Sequence, residues 1–178
     1  MNLLKSKIIQ FIVLFFLSNG YGYAQSAMDY LKSGNENAKH GNFDQAIFQF
    51  TKAIDIDPDF AKAYNNRGVA YAEEGSYPQA IADFTMAIAN KPKDAEAYNN
   101  RGHAYAIIGN YTQAIKDYTR AIKNNAFYVR AFNNRAIVYL KTKDYEKAWS
   151  DVRTAQAIGG TVDPHFIEEL TKASSAPQ

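Results

Sequence analysis

Residues 63–72 read AYNNRGVAYA and residues 97–106 read AYNNRGHAYA, so nine of ten positions recur at an offset of 34. Residues 131–140, AFNNRAIVYL, follow at the same offset, and stepping back by 34 brings residues 29–38, DYLKSGNENA, into register. The period divides the chain into frames 27–60, 61–94, 95–128 and 129–162. Self-similarity of this kind marks an array in which each unit completes its core on its neighbours.

Each frame predicts two helices. Tyr64, Gly68 and Tyr71 stand at i, i+4 and i+7, which is one helical face, and Ala80, Phe84 and Ala87 repeat that spacing in the second half. Tyr98, Gly102 and Tyr105, then Ala114, Tyr118 and Ala121, are their equivalents. Gly68 opposite Ala80 lets two backbones approach, and the aromatics fill the wedge where the helices diverge. Gly41, Gly75 and Gly109 fall where a left-handed residue ends the first helix. Asn42, Ser76, Asn110 and Asp144 follow as N-caps of the second helix. Pro78 suits a first turn, and Pro58 and Pro92 close two frames.

This pattern resembles the tetratricopeptide repeat (TPR) family. The family's signature of aromatic, leucine-glycine, tyrosine, alanine, aromatic, alanine and proline is answered by Tyr64, Gly68, Tyr71, Ala80, Phe84, Ala87 and Pro92. The resemblance covers residues 27–162, with Ala46 and Ala53, and Ala148 and Ala155, carrying the alanines into the outer frames. Arg67, Arg101 and Arg135 replace the leucine, Asn37 a tyrosine and Ala126 a proline. The fourth frame is the divergent one, with Ala136, Lys143, Val152 and Gly160 at signature positions. The resemblance implies an all-α, right-handed solenoid of four helix-turn-helix repeats. A capping helix is expected over 163–173, started by Asp163 and Pro164, with Phe166, Ile167 and Leu170 on its apolar side. Residues 174–178 are expected to be a disordered tail.

The N-terminus reads as an address. Lys5 and Lys7 precede an apolar run from Ile8 to Leu17, then Gly22 and Ala24 stand two apart. That order predicts a signal peptide over 1–24 with cleavage before Gln25. The run is too short for a helix that spans a bilayer, which needs about 20 apolar residues. The expected compartment is the periplasm or the exterior of a bacterium. The chain has 20 bases against 18 acids. Without Lys5 and Lys7 the remainder is neutral, so it has no overall field to attract nucleic acid or an anionic membrane.

Two sets of polar residues recur with the period. Arg67, Arg101 and Arg135 are followed sixteen residues later by Asp83, Asp117 and Asp151, while the first frame has Ser33 and Gln49 instead. Presence and absence go together, which predicts ion pairs joining the two helices of a repeat, held by the planar guanidinium fork. The rival is a row of arginines gripping an acidic ligand. The second set is Asn65 and Asn66, Asn99 and Asn100, and Asn133 and Asn134. In the family the first helix lines a concave groove. The resemblance therefore implies a partner-binding face of these asparagines with Val69, His103, Arg130 and the apolar Ile107 and Ile137. Asparagine both donates and accepts, so such a face suits a peptide backbone. A solvated groove wall that binds nothing is the plainer alternative.

Some family members clamp the acidic C-terminus of a chaperone. Asn35 and Asn66 match the clamp's two asparagines, but Leu31, Glu96 and Asn100 stand where its basic members belong. Cysteine is absent, which excludes disulfides, thiolate metal sites and a cysteine nucleophile. His40, His103 and His165 occupy unrelated repeat positions, and no phosphate-loop, dinucleotide or hydrolase motif is present. Glu73 and Glu74 are adjacent on a helix and point apart, a poor acid-base pair. Trp149 reads as core near the end of the array. The expectation is a binding module for a protein or peptide segment, with no metal, no cofactor and no catalysis. Scaffolding through the convex surface, self-association into a homo-oligomer, and service as an accessory of an envelope enzyme are the alternatives.

Overall fold

The computed structural model describes residues 25–175, and the expected signal peptide lies outside them. Nine helices and no strand occur among the described residues. They are α1 (Ala27–Lys39), α2 (Phe43–Ile56), α3 (Ala61–Glu73), α4 (Tyr77–Asn90), α5 (Ala95–Ile107), α6 (Tyr111–Asn124), α7 (Val129–Lys141), α8 (Tyr145–Ala157) and α9 (Pro164–Ser175). Each frame holds one pair, and α9 occupies the first-helix place of a fifth frame.

Close approach within a pair depends on Gly68. A Cβ there would lie 2.7 Å from the Phe84 ring and 3.2 Å from the Ala80 carbonyl oxygen, so the position excludes any side chain while Phe84 is in place. Ala80, Phe84 and Ala87 are buried, and Phe84 alone contributes roughly 1.5–3 kcal/mol of hydrophobic burial. The turn follows from Gly75 at φ 77°, where Ser76 N–H returns to the Tyr71 carbonyl at 2.8 Å. In the fourth repeat Lys143 takes that left-handed place at φ 62°, without glycine's freedom.

The stack has two unlike sides. Helix α1 touches α3, α3 touches α5, α5 touches α7 and α7 touches α9, whereas α2, α4, α6 and α8 do not meet one another. The first helices crowd together on the inner side and the second helices splay on the outer side, so the array curves into a solenoid with a concave inner face. No helix among the described residues is long and apolar enough to cross a membrane.

Three local expectations need correction. Asn42 and Ser76 sit at the N-cap positions but accept no capping bond from the helix, whereas Asn110 accepts from Gln113 N–H and Asp144 from Lys147 N–H. The final helix runs on through Ser175, so Ser174 and Ser175 are helical rather than part of a disordered tail. The reason is local packing: Trp149 packs against the cluster that holds Phe166 and Leu170, and its Nε1 donates to the Ser174 hydroxyl at 3.4 Å.

Candidate functional site

The arginines are anchored inside the array. Arg67 donates from Nε to Asp83 Oδ2 at 2.7 Å and from Nη2 to Asp83 Oδ1 at 2.8 Å, a bidentate pair between α3 and α4. Arg101 and Asp117, and Arg135 and Asp151, repeat it. All three aspartates are buried. A third partner ties neighbouring repeats: Arg67 Nη1 donates to Thr51 Oγ1 on α2, Arg101 to Thr85 on α4 and Arg135 to Thr119 on α6. Each threonine hydroxyl donates to a carbonyl one turn back, which leaves its oxygen free to accept. Hydrogen bonding to Asp83 and to Asp117 raises the pKa of Arg67 and Arg101 above its already high ordinary value. For Arg135 burial opposes the charge, and Asp151 outweighs it. With three of five N–H donors engaged and the charge already paired to a buried carboxylate, each of these arginines has little left for an acidic ligand.

The asparagines turn toward one another. Asn65 and Asn99 are 7% and 2% exposed. Asn100 Nδ2 donates to Asn65 Oδ1 at 3.1 Å, and Asn134 Nδ2 to Asn99 Oδ1 at 3.0 Å, so each bond crosses from one repeat to the preceding one. In the first repeat buried Leu31 takes the acceptor's place, and Asn66 reaches Asn35 instead, at 2.6 Å. At the other end Asn133 Nδ2 donates to the Thr161 carbonyl, and its buried Oδ1 has no partner among the described residues. One period beyond Asn134 stands Glu168, which has no amide to donate. The asparagine set is thus an inter-repeat ladder, and only its edges face the groove.

Two adjoining hollows open on the inner face toward the C-terminal end. The first, of about 230 Å³, lies between α5 and α7 and is bounded by His103, Ile107, Tyr118, Asn134, Ile137 and Lys141. The second, of about 240 Å³, lies between α7 and α9 and is bounded by Ile137, Leu140, Lys141, His165, Phe166 and Glu169. Ile137 and Lys141 form the wall they share. Tyr118 is 1% exposed, and its hydroxyl has no hydrogen-bond partner among the described residues. Burial, aided by the neighbouring Asp117, pushes its phenol well above the ordinary tyrosine range, which keeps it a neutral donor.

Of the residues expected in the groove, His103, Ile107, Asn134 and Ile137 meet at the first hollow. Val69 is exposed on α3 but lies outside both hollows. Arg130 goes elsewhere: it borders an open hollow beside the loops that join the second repeat to the third and the third to the fourth, with Lys91, Lys93, Asp94, Glu96 and Tyr128. Tyr118, Lys141, His165 and Phe166 were not expected there. Tyr118 differs from its equivalents Phe50 and Phe84 only by the hydroxyl, and that substitution is the signal for the floor of the first hollow.

No curated protein matches the sequence. Among solved structures, PilF of Pseudomonas aeruginosa is similar at 23% identity over 83% of this chain and 67% of that one, with a TM-score of 0.74. MamA is similar at 25% identity over 83% and 82%, with a TM-score of 0.71. The first TPR of Spaghetti (RPAP3), in complex with the HSP90 peptide SRMEEVD, is 28% identical over 67% of this chain and 94% of that one, with a TM-score of 0.65. Family models described as TPR repeat and tetratricopeptide repeat match residues 34–75, 61–94 and 95–127, more than half of the chain. The chain belongs to the tetratricopeptide repeat family, whose repeats serve as protein–protein interaction modules.

Proposed function

We propose that the protein is an exported adaptor that holds an extended peptide or protein segment across α5, α7 and α9. The observation that carries this reading is the pair of hollows sharing Ile137 and Lys141. Alternate side chains of an extended segment point the same way, so two apolar residues of one segment can occupy adjoining hollows. The Tyr118 hydroxyl supplies a donor at the floor of the first, and Lys141 supplies a cation at the shared wall for a carboxylate. Asp163 and Glu169 border only the second hollow, so a basic residue of the ligand suits that end.

An acidic C-terminal peptide like that bound to the RPAP3 domain is not the ligand this groove suits. Leu31 is buried in the core, Asn35 and Asn66 are bonded to each other, and Glu96 is an exposed acid. Alanine at Asn66, Asn100 and Asn134 removes inter-repeat bonds and so tests stability as well as binding. Selection of extended peptides on the wild type, with affinities compared in an Ile107→Glu/Ile137→Glu variant, isolates the groove. Loss of at least ~10-fold in affinity with unchanged helicity is expected. Equal affinities in the two proteins would refute the groove. Export rests on the basic, apolar and small-residue order of residues 1–24, and sequencing of the exported protein is expected to begin at Gln25.

A further inference from the structure

We propose that the hollow between α5 and α7 is a tyrosine pocket, which takes one tyrosine side chain of the extended segment with its ring between Ile107 and Ile137 and its hydroxyl against that of Tyr118. This rests on the groove reading and names the residue that anchors the ligand there. Tyr118 rises from α6 beneath the two inner helices. Its ring lies against Gly102 of α5, where a Cβ would stand 2.9 Å from Cε1, so the phenol is held in one place. The side chain is almost wholly buried, yet it borders the hollow, and its hydroxyl has no partner among the described residues. A buried hydroxyl is costly to leave unpaired, so this one marks a polar floor that a ligand can complete. Phe50, Phe84 and Val152 hold the same place in the other repeats and carry no polar side-chain atom. Of the four repeats, the third alone offers a donor there.

Three properties of the hollow select the side chain. Its walls are apolar, formed by Ala106, Ile107, Ile137 and Val138. Its volume is about 230 Å³, whereas about 150 Å³ suffices for a benzene ring, so a ring with one substituent has room. Its polar atoms include a donor and an acceptor. The donor is the Tyr118 hydroxyl, which burial keeps protonated. The acceptor is Asn134 Oδ1: Asn134 donates through Nδ2 to Asn99, and its oxygen accepts nothing among the described residues. A second phenol answers both, since its oxygen accepts from one and its proton goes to the other. Phenylalanine would expel the water and leave both atoms unpaired. The indole of tryptophan donates but cannot accept. Glutamine answers both atoms and leaves much of the volume empty. A glutamate would bring its carboxylate toward Asp117, whose charge already bears on the phenol. The second hollow has Phe166 and Leu140 with the acids Asp163 and Glu169 instead, so the tyrosine belongs in the first and sets the register of the segment.

Random peptides displayed on phage and selected on the full chain supply the probes. A tyrosine is expected at one shared position of the selected sequences. Replacing it by phenylalanine in a synthetic copy should weaken binding to the wild type at least ~10-fold. In Tyr118→Phe, which copies Phe50 and Phe84, the same replacement should cost less than ~3-fold, because the two hydroxyls act on each other. Ile107→Glu/Ile137→Glu should bind neither peptide. Peptides that lack a shared tyrosine, yet are lost in Ile107→Glu/Ile137→Glu, would overturn the tyrosine pocket and leave the groove standing. An equal loss on phenylalanine replacement in the wild type and in Tyr118→Phe would do the same, by placing the ligand's hydroxyl elsewhere. No selectable peptide, or peptides indifferent to Ile107→Glu/Ile137→Glu, would overturn the groove and the pocket together.

Discussion

Asn134 donates from Nδ2 to Asn99 Oδ1 at 3.0 Å, across 35 residues of sequence, and Asn99 is almost wholly buried where it accepts. The bond ties the fourth repeat to the third as Asn100 ties the third to the second. Asn99→Ala leaves the half-buried Asn134 amide without its acceptor and is expected to cost about 1–3 kcal/mol in urea unfolding. In the Asn134→Ala background the same change should cost much less. Additive losses would mean that the two side chains do not interact in solution.

The bidentate Arg67–Asp83 pair makes a stronger claim. Asp83→Ala strands a guanidinium that is largely withdrawn from water, and a loss of about 3–5 kcal/mol is expected. Copying the first repeat with Arg67→Ser/Asp83→Gln removes both charges and should recover part of that loss. A melting midpoint unchanged by Asp83→Ala would show that the pair contributes nothing.

Much of this is legible in the sequence because the hairpin, its turn and the Arg–Asp spacing all lie within one period. Asn65 shows where such reading stops. Its place on the groove comes from the family resemblance, whereas in the structure it is buried where α3 meets α5 and accepts from Asn100. The signal was present: identical asparagine doublets in stacked repeats lie beside their own equivalents, and an amide is its own complement. The hollows around Ile137 were not legible, because they depend on the gaps between α5, α7 and α9 rather than on any residue type. Even so, Phe166 falls one period after Phe132, in the place of Tyr64 and Tyr98, which marks α9 as the first helix of an unfinished repeat.

Gly68 and Phe84 are expected to be coupled. Gly68→Ala drives a methyl group into the Phe84 ring, and overpacking of this kind costs about 1–3 kcal/mol, which outweighs the roughly 1 kcal/mol gained in helix propensity. The fourth repeat solves the same contact with Ala136 and Val152. Gly68→Ala should therefore be better tolerated in a Phe84→Val background, by about 1 kcal/mol or more in a double-mutant cycle. Equal costs in both backgrounds would contradict the close approach.

Tyr118 predicts an alkaline effect. Its phenol is raised in the folded chain, so above about pH 10 the unfolded chain ionises there while the folded one does not. Stability contributed by the neutral phenol is complete below that pH and is lost as pH rises toward the folded value. Tyr118→Phe, which copies Phe50 and Phe84, should lose less stability between pH 9 and about pH 11 than the wild type. Parallel pH profiles of the two melting midpoints would show that the hydroxyl is not buried. At neutral pH the same variant should keep its fold and bind selected peptides more weakly.

Recognition at the α5–α7–α9 groove is best examined by mapping amide chemical shifts of the isotope-labelled protein during titration with a peptide selected on it. Saturable shifts are predicted at His103, Ile107, Ile137, Lys141 and Phe166, with α4 and α6 outer positions such as Met86 and Arg120 silent. Shifts confined to that outer face, or none at saturating peptide, would contradict the groove as the binding surface.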